Sequence, residues 1–430
     1  MARPGADPTA SQIRRRRNWR PMLKPLAGRR LPPELRPDAV YAAAPSLEGG
    51  LGGAALRRLL EAIDQSDFHD DTQVQLYFRG AEAMAAMLRA IAQAREEVLL
   101  ESYIVRADST GRAFGEALRA ARARGVRVSV LADGLGSGFT RRDYWRLLRD
   151  GGTRLKLFGR PAYAPLTLLP IVDHRKLLII DRELAFTGGM NIADEYHLDR
   201  PEEPAWRDTH LCVRGEVAQD LAALFAESWE AAGGQPLRFA SRPQAQPGGT
   251  PTIVLDSRPG RGLNEVYASF AAVLGGARQR VWISNAYFAP QRRMLRYLQS
   301  CSGRGVDVRL LLPRHTDMPL VRWASQSYYA GLLAAGVRIY EYLPAVLHAK
   351  TLLADEAIGI VGSSNFDFRS FDLNHECNLL FQDDAINARL AQQFEQDLTQ
   401  AEEIDARRWA ARPWWLRALN ALARLFAPLM

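Results

Sequence analysis

The chain repeats itself, and the repeat limits what it can fold into. Arg124-Gly-Val-Arg-Val-Ser-Val-Leu131 recurs as Arg304-Gly-Val-Asp-Val-Arg-Leu-Leu311. Each string follows a helical pattern and reads as a buried strand. Upstream, Ser102-Tyr-Ile104 corresponds to Ala286-Tyr-Phe288 at a strand end; downstream, Gly152-Thr-Arg-Leu-Lys-Leu-Phe158 corresponds to Gly336-Val-Arg-Ile-Tyr-Glu-Tyr342. Each unit is thus strand, helix, strand, helix, strand, which implies a partly parallel sheet covered by helices. The expected fold is α/β (α+β by strict classification), with two similar halves. Each half would be a mixed, mostly parallel sheet, and a pseudo-two-fold would place one shared site between them. A length of 430 residues suits two ordinary domains. Gln244-Ala-Gln-Pro-Gly-Gly-Thr-Pro251 has linker composition. The expected layout is a basic, disordered tail over 1–36, a first half over 37–240, a linker over 241–251, a second half over 252–405 and an amphipathic helix over 406–430.

Both halves carry the same polar residues in the same order. The first has His174-Arg-Lys176, Asp181 and Gly188-Gly-Met-Asn191; the second has His348-Ala-Lys350, Asp355 and Gly362-Ser363-Ser-Asn365. In each, Lys follows His by 2 residues, Asp by 7, Gly by 14 and Asn by 17. One such pattern is a weak match, whereas two in register are a strong one. The chain has 52 arginines and only four lysines, yet keeps Lys176 and Lys350 at matched positions. Lysine is a compact point charge, and arginine needs room for a planar fork. The choice points to a tight site around an anionic oxygen pair.

These residue types suit phosphoryl chemistry. Strand alternation puts His174 and Lys176 on one face, and likewise His348 and Lys350. Two facing half-sites supply cations and amide donors for phosphate oxygens, with one histidine on each side of phosphorus. One histidine can attack and form a phosphohistidine. The other can protonate the leaving alkoxide and then deprotonate an incoming alcohol. Lys176, Asn191, Lys350, Asn365 and Ser363 are the phosphate-binding candidates. Asp208 and Glu376 follow the asparagines and could orient the imidazole rings. Asp181 and Asp355 complete the motif and are grouped with its catalytic set, although their odd spacing from the histidines turns them off the shared face. No carboxylate cluster of metal-ligand type flanks either motif, so neither a metal nor another cofactor is expected. His69, His197 and His315 read as ordinary histidines.

Charge is uneven. The net charge is +8, residues 1–36 alone carry +8 and residues 407–430 carry +5, which leaves −5 for the body. A nucleic-acid enzyme would carry its positive charge along the groove; basic ends on an acidic body fit an anionic membrane surface better. Pro413 can start a helix through Ala427, with Arg417, Asn420 and Arg424 on one edge and Trp414, Trp415, Leu419, Leu422, Leu425 and Phe426 opposite. At about 21 Å it is too short to span a bilayer and suits lying in its interface. No apolar run reaches the length of a transmembrane helix, and no apolar segment follows Arg14–Arg17 as in a secretory signal. Three scattered cysteines fit neither a disulfide framework nor a zinc site, as in a reducing compartment.

The duplicated motif resembles the phospholipase D superfamily over roughly residues 70–400. Gly188-Gly-Met-Asn-Ile-Ala-Asp-Glu-Tyr196, Trp206-Arg-Asp-Thr-His210, Gly362-Ser-Ser-Asn-Phe-Asp-Phe-Arg-Ser370 and Asn374-His-Glu376 resemble bacterial cardiolipin synthases, of the shorter type without transmembrane helices. The resemblance implies a phosphatidyl-histidine on His174, with His348 as general acid and base. Lys176, Asn191, Lys350 and Asn365 would bind phosphate, with Asp208 and Glu376 behind the histidines. It implies phosphatidylglycerol as acceptor and phosphatidylglycerol or phosphatidylethanolamine as donor. It also implies a peripheral place on the cytoplasmic side of the bacterial inner membrane, with phospholipids and not nucleic acid as partners. The apolar insert Pro161–Pro170, unmatched in the second half, is expected to contact acyl chains. A hydrolase releasing phosphatidic acid, a nuclease of the superfamily and an inactive membrane-binding protein stay open as alternatives, as does the oligomeric state.

Overall fold

Runs such as Leu177-Leu-Ile-Ile180 become strands buried on both faces. Leu177 and Ile179 enter one apolar cluster, and Leu178 and Ile180 the cluster on the opposite face. That alternation is the two-residue strand period, with helices covering both sides. The computed structural model describes residues 31–159, 171–200, 202–239, 248–257 and 265–426. The expected disorder of residues 1–30, the insert at 161–170 and most of the linker lie outside the described residues.

The first half contains β1 (His69–Tyr77), β2 (Glu97–Ser102), β3 (Arg127–Asp133), β4 (Arg154–Phe158), β5 (Lys176–Ile180), β6 (Leu184–Gly188) and β7 (His210–Arg214). The second contains β8 (Thr250–Ser257), β9 (Arg280–Asn285), β10 (Phe288–Ala289), β11 (Asp307–His315), β12 (Arg338–Val346), β13 (Lys350–Ala354), β14 (Ile358–Gly362), β15 (Phe366–Asp367), β16 (Glu376–Gln382) and β17 (Ala401–Glu403). The first half is ordered β1-β7-β6-β5-β2-β3-β4 and the second β8-β16-β14-β13-β9-β11-β12, so the strand order repeats. β1 pairs with β8, which joins the halves into one 15-stranded sheet with β17 at an edge. One apolar cluster runs along a single face of both halves, taking Leu99 and Leu131 from the first and Trp282 and Leu311 from the second.

The expected strand–helix–strand–helix–strand unit is present twice. Helices Ser109–Ala123 and Arg142–Asp150 link β2, β3 and β4; Arg292–Gly303 and Pro319–Ala334 link β9, β11 and β12. The sheet as a whole is nevertheless mostly antiparallel, a correction to the expected mostly parallel one. Only β2–β3, β3–β4, β9–β11 and β11–β12 pair in parallel within it. The motif strands are joined by short turns, and a short turn reverses direction. Between β5 and β6 that turn is Asp181-Arg-Glu183, with φ of +53° at Asp181 and +58° at Arg182. No glycine announces it.

The expected boundaries also shift. Leu31 is buried, and helices Pro37–Ala43 and Ala54–Asp64 bury Val40, Leu56, Leu60 and Ile63 against the second half's cluster, beside Tyr267, Phe270 and Leu274. The N-terminal helices therefore cover the second half rather than opening the first. At the other end, helix Trp414–Leu425 packs on Pro319–Ala334. Asn420 and Ala423 are buried, and the Arg424 guanidinium lies 4.8 Å over the Tyr328 ring. The docked side of the helix carries Asn420 and Ala423 with the half-buried Leu416 and Leu419, while Arg417 stays exposed. No helix among the described residues is long and apolar enough to cross a membrane.

Candidate active site

Lys176 opens β5 opposite Ser102, and Lys350 opens β13 opposite Asn285. Three residues upstream of each lysine the chain crosses to the other half. Asp173 forms a parallel bridge with His375, and Leu347 forms one with Arg207. The backbone N–H of His174 donates to the His375 carbonyl at 2.9 Å, and that of His348 to the Arg207 carbonyl at 2.7 Å. The residue after each bridge partner is a carboxylate. His174 Nδ1 lies 3.0 Å from Glu376 Oε2, and His348 Nδ1 lies 2.7 Å from Asp208 Oδ2. Each half thus gives the histidine to one pair and the carboxylate to the other. A proton on Nδ1 facing the carboxylate leaves Nε2 unprotonated, which is the form a nucleophile or base requires.

The pairs are buried with their lysines. Lys176 Nζ donates to the His174 carbonyl at 2.6 Å, and Lys350 Nζ lies 2.8 Å from His348 Nδ1. Burial lowers the His174 pKa to about 4, with Lys176 and Lys350 acting in the same direction against Glu376. Burial and then Lys350 lower the His348 pKa as well. Burial also takes Lys176 down to about 7 and Lys350 to about 8. For Asp208 and Glu376 burial acts upward, but the histidines and lysines win and hold both carboxyls below their usual range. Two carboxylates, two neutral imidazoles and two easily charged amines form a site in which a bound anion would draw protons onto the lysines.

The other motif residues separate by position. Asp181 accepts from the backbone N–H groups of Arg95, Glu96 and Glu97, and Asp355 from those of Arg278, Gln279 and Arg280. Each lies past the far end of its strand, about 16 Å of strand rise from the lysine. The structure thus moves Asp181 and Asp355 out of the catalytic group: they clamp the β5–β6 and β13–β14 turns to the starts of β2 and β9. Ser363 also changes role. Its hydroxyl donates to Glu376 and accepts from the Cys377 N–H, so it holds the carboxylate instead of facing phosphate. The Asn191 amide is engaged too, accepting from Ile104 N–H at 3.1 Å and donating to Tyr196 OH at 2.8 Å. Asn365 Oδ1 has no partner among the described residues.

A family model described as cardiolipin synthase, PLD-like domain, matches residues 87–229 and 270–398. The chain belongs to the cardiolipin synthase family. It is similar to cardiolipin synthase 1 of Bacillus anthracis, with 34% identity over 375 residues, 84% of this chain and 73% of that one. It is similar to the major cardiolipin synthase of Bacillus subtilis, with 31% identity over 368 residues, 84% of this chain and 76% of that one. Among solved structures, phosphatidylserine synthase of Haemophilus influenzae superposes with a TM-score of 0.69 over 87% of this chain and 100% of that one, at 13% identity. That last likeness is one of fold alone. As a family member, the chain is a phosphatidyltransferase of the phospholipase D superfamily, acting in cardiolipin synthesis.

This cardiolipin synthase family member surrounds its histidines with aromatic rings that motif spacing does not single out. Tyr103 packs edge-on to His174 at 4.9 Å between centroids, with Lys176 Nζ 5.3 Å over the same tyrosine ring. Tyr196, Trp206 and Tyr287 lie 5.4, 5.4 and 6.1 Å from the His348 ring. Tyr103 and Tyr287 were visible in the repeat, but strand register puts Ser102, not Tyr103, level with Asn285, so the two tyrosines are one residue out of step. Arg175, between His174 and Lys176, is fully buried; it donates to the Glu376 carbonyl at 3.2 Å and to Ser228 Oγ at 2.9 Å. Arg207 makes a double ion pair with Asp397 at 3.0 and 2.7 Å while its carbonyl holds His348. These arginines fix the two crossing segments. Their signal in the sequence is only that each neighbours a motif residue.

Proposed function

We propose that the protein makes cardiolipin by transferring a phosphatidyl group through His174. Nε2 of His174 attacks the phosphorus of a donor phospholipid, either phosphatidylglycerol or phosphatidylethanolamine. The bond from phosphorus to the head-group oxygen breaks, and His348, which takes up a proton on Nε2 as the anionic donor binds beside it, passes that proton to the leaving oxygen and releases glycerol or ethanolamine. The terminal hydroxyl of a second phosphatidylglycerol then gives its proton to His348 and attacks phosphorus. The phosphorus–nitrogen bond breaks, cardiolipin leaves and His174 is restored. Lys176, Lys350 and the Asn365 amide carry the charge of the transferring group. The reaction would take place at the cytoplasmic face of the inner membrane, with the protein bound peripherally.

The observation that carries this reading is the reciprocal pairing of each histidine with a carboxylate from the other half. Such a pair of fixed rings serves two successive in-line displacements at one phosphorus. The assignment of His174 as nucleophile is supported by its stronger fixation. Glu376 is held by the Ser363 and Ser370 hydroxyls as well as by the ring, and His174 stays neutral down to a pH of about 4. The test is to incubate purified protein with phosphatidylglycerol vesicles, with and without phosphatidylethanolamine, and to read products by mass spectrometry beside H174A. Cardiolipin together with glycerol or ethanolamine, absent in H174A, is expected and identifies the donor. Phosphatidic acid alone would mean that water is the acceptor and would overturn the transferase reading.

A further inference from the structure

We propose that the C-terminal helix and the two rims of the active site form one bilayer-docking face, whose partner is an anionic phospholipid surface. This deepens the reading above, because the bound surface is also the substrate reservoir. Helix Trp414–Leu425 turns Asn420 and Ala423 toward the protein, with Leu416 and Leu419 half-buried beside them, and leaves Trp414, Trp415, Leu422 and Leu425 outward. Trp414 and Leu425 are each 73% exposed, and Trp415, Leu422 and Phe426 are exposed with them. A helix docked wholly on a protein's own core would bury those large apolar side chains instead. At 12 residues it is about 18 Å long, which suits lying in an interface and not crossing one.

The remaining exposed apolar side chains are not scattered. Of the twelve large ones among the described residues, four lie on this helix and Phe426 just after it, and five more, Phe139, Ile171, Met318, Leu320 and Trp323, belong to segments that lead to the two histidines. On the first rim, Gly136 and Ser137 pack against Tyr103, the ring beside His174, and Phe139 just after them is 91% exposed. Ile171, exposed, lies three residues before His174. On the second rim, Asp317 accepts from the hydroxyl of Tyr287, the ring beside His348, and the exposed Met318, Leu320 and Trp323 follow it. Those three open helix Pro319–Ala334, on which the C-terminal helix rests. One helix thus connects the site's rim to the C-terminal face.

Charge selects the occupant. Residues 407–430 hold five arginines and no acidic residue, and Arg407, Arg408 and Arg417 are exposed. Two copies of such a face would bring like charges together, whereas an anionic bilayer attracts each arginine by about 1 kcal/mol near its surface. Exposed tryptophans beside basic residues match the boundary between head groups and acyl chains.

The test uses the full-length protein and vesicles of phosphatidylglycerol with phosphatidylcholine, or of phosphatidylcholine alone. The variants are W414S/W415S/L425S and R408E/R417E, each checked by circular dichroism and thermal melting. The triple variant is expected to bind phosphatidylglycerol vesicles at least about tenfold more weakly in sedimentation. It should lose turnover of vesicle substrate in proportion while keeping turnover of short-chain, monomeric phosphatidylglycerol. The charge variant should lose the preference for anionic vesicles. Unchanged vesicle binding in folded variants would overturn the proposal, as would equal loss on vesicle and monomeric substrate. Self-association of the unaltered protein in sedimentation velocity that the triple variant abolishes would make this face a contact between copies. If no lipid is turned over by any form, the proposed reaction fails, while the vesicle sedimentation still decides the docking face.

Discussion

In the second half, Glu376 is held by two hydroxyls, Ser363 and Ser370, before it meets His174. In the first half, Asp208 faces Gly189, where a side chain could not fit: a Cβ there would come within 2.2 Å of Asp208 Oδ1. Asp208 instead accepts from its neighbour's backbone, Thr209 N–H at 2.6 Å, and lies beside Lys350. The strand order around the two sites is the same. Their difference is therefore local: a longer carboxylate locked by serines against a shorter one packed on glycine. A histidine that bonds to phosphorus must return to the same place twice per cycle, which favours the locked partner. A histidine that moves protons needs a responsive partner, and Lys350 against His348 supplies one. The inequality of the half-sites agrees with an inequality of roles.

Removing the histidines is the strongest way to break that comparison. H174A should lower turnover by about five orders of magnitude or more, the scale for losing a nucleophile, and should abolish any acid-labile phosphoprotein. H348A should slow a natural head group by about 10²–10⁴-fold. With a p-nitrophenyl leaving group, which needs no proton, H348A should still form the covalent intermediate at a near-normal rate, seen as a burst of nitrophenol. A burst in H174A and none in H348A would reverse the assignment. The carboxylates come next. E376Q should cost about 10⁴-fold by fixing the wrong ring tautomer, on either leaving group. D208N should cost as much on the natural donor and much less on the activated one.

Much of this site was readable in short strings, because its chemistry is carried by residues close together in the chain. His174 and Lys176, like His348 and Lys350, are neighbours along a segment, and the buried run Leu177–Ile180 announces its strand. The pairing of His174 with Glu376 was not readable, since it depends on two inter-half bridges made by Asp173 and Leu347. No spacing encodes which carboxylate serves which ring. The antiparallel majority was hidden for a related reason: the β5–β6 turn takes left-handed backbone at Asp181, which tolerates it, and at Arg182, which carries no turn signature. Periodicity likewise marked Trp414–Leu425 as amphipathic but could not say that Asn420 and Ala423 would be buried while both tryptophans stayed exposed.

The lysines offer a gentler perturbation. In the free protein Lys176 and Lys350 lose their protons at about 7 and about 8, below the ordinary lysine range, because burial penalises the charge. A bound phosphate-like anion needs both ammonium groups, so binding must raise both values and take up protons. Affinity for inorganic phosphate or tungstate should therefore fall as pH rises, by up to about tenfold per unit above pH 7 and more steeply above pH 8. Calorimetry in buffers of different ionisation enthalpy should find proton uptake at pH 8.5 that K176M reduces. The sign for stability follows from the same values. The unfolded chain binds more protons than the folded one between about pH 7 and the usual lysine range, so stability should rise with pH there, and K176M should be more stable than the parent at pH 6. Proton release on anion binding would contradict the buried-amine description.

The smallest change addresses the serine lock itself. S363A removes one hydroxyl from Glu376 and leaves Ser370 and His174 in place. One hydrogen bond of this kind is worth about 1 kcal/mol net, or roughly a fivefold loss in kcat. If the hydroxyl fixes Glu376 rather than binding substrate, the loss should fall on kcat with KM unchanged, and the pH at which His174 protonates should move. If Ser363 instead touched phosphate, KM would rise and that pH would stay put. G189S tests the reverse, adding a hydroxyl beside Asp208. Because the added Cβ would collide with the carboxylate, it should displace Asp208 and cost more than S363A does. The half-sites are then not interchangeable: a serine that orders the longer carboxylate disrupts the shorter one, so glycine and aspartate in one half are matched to each other as serine and glutamate are in the other.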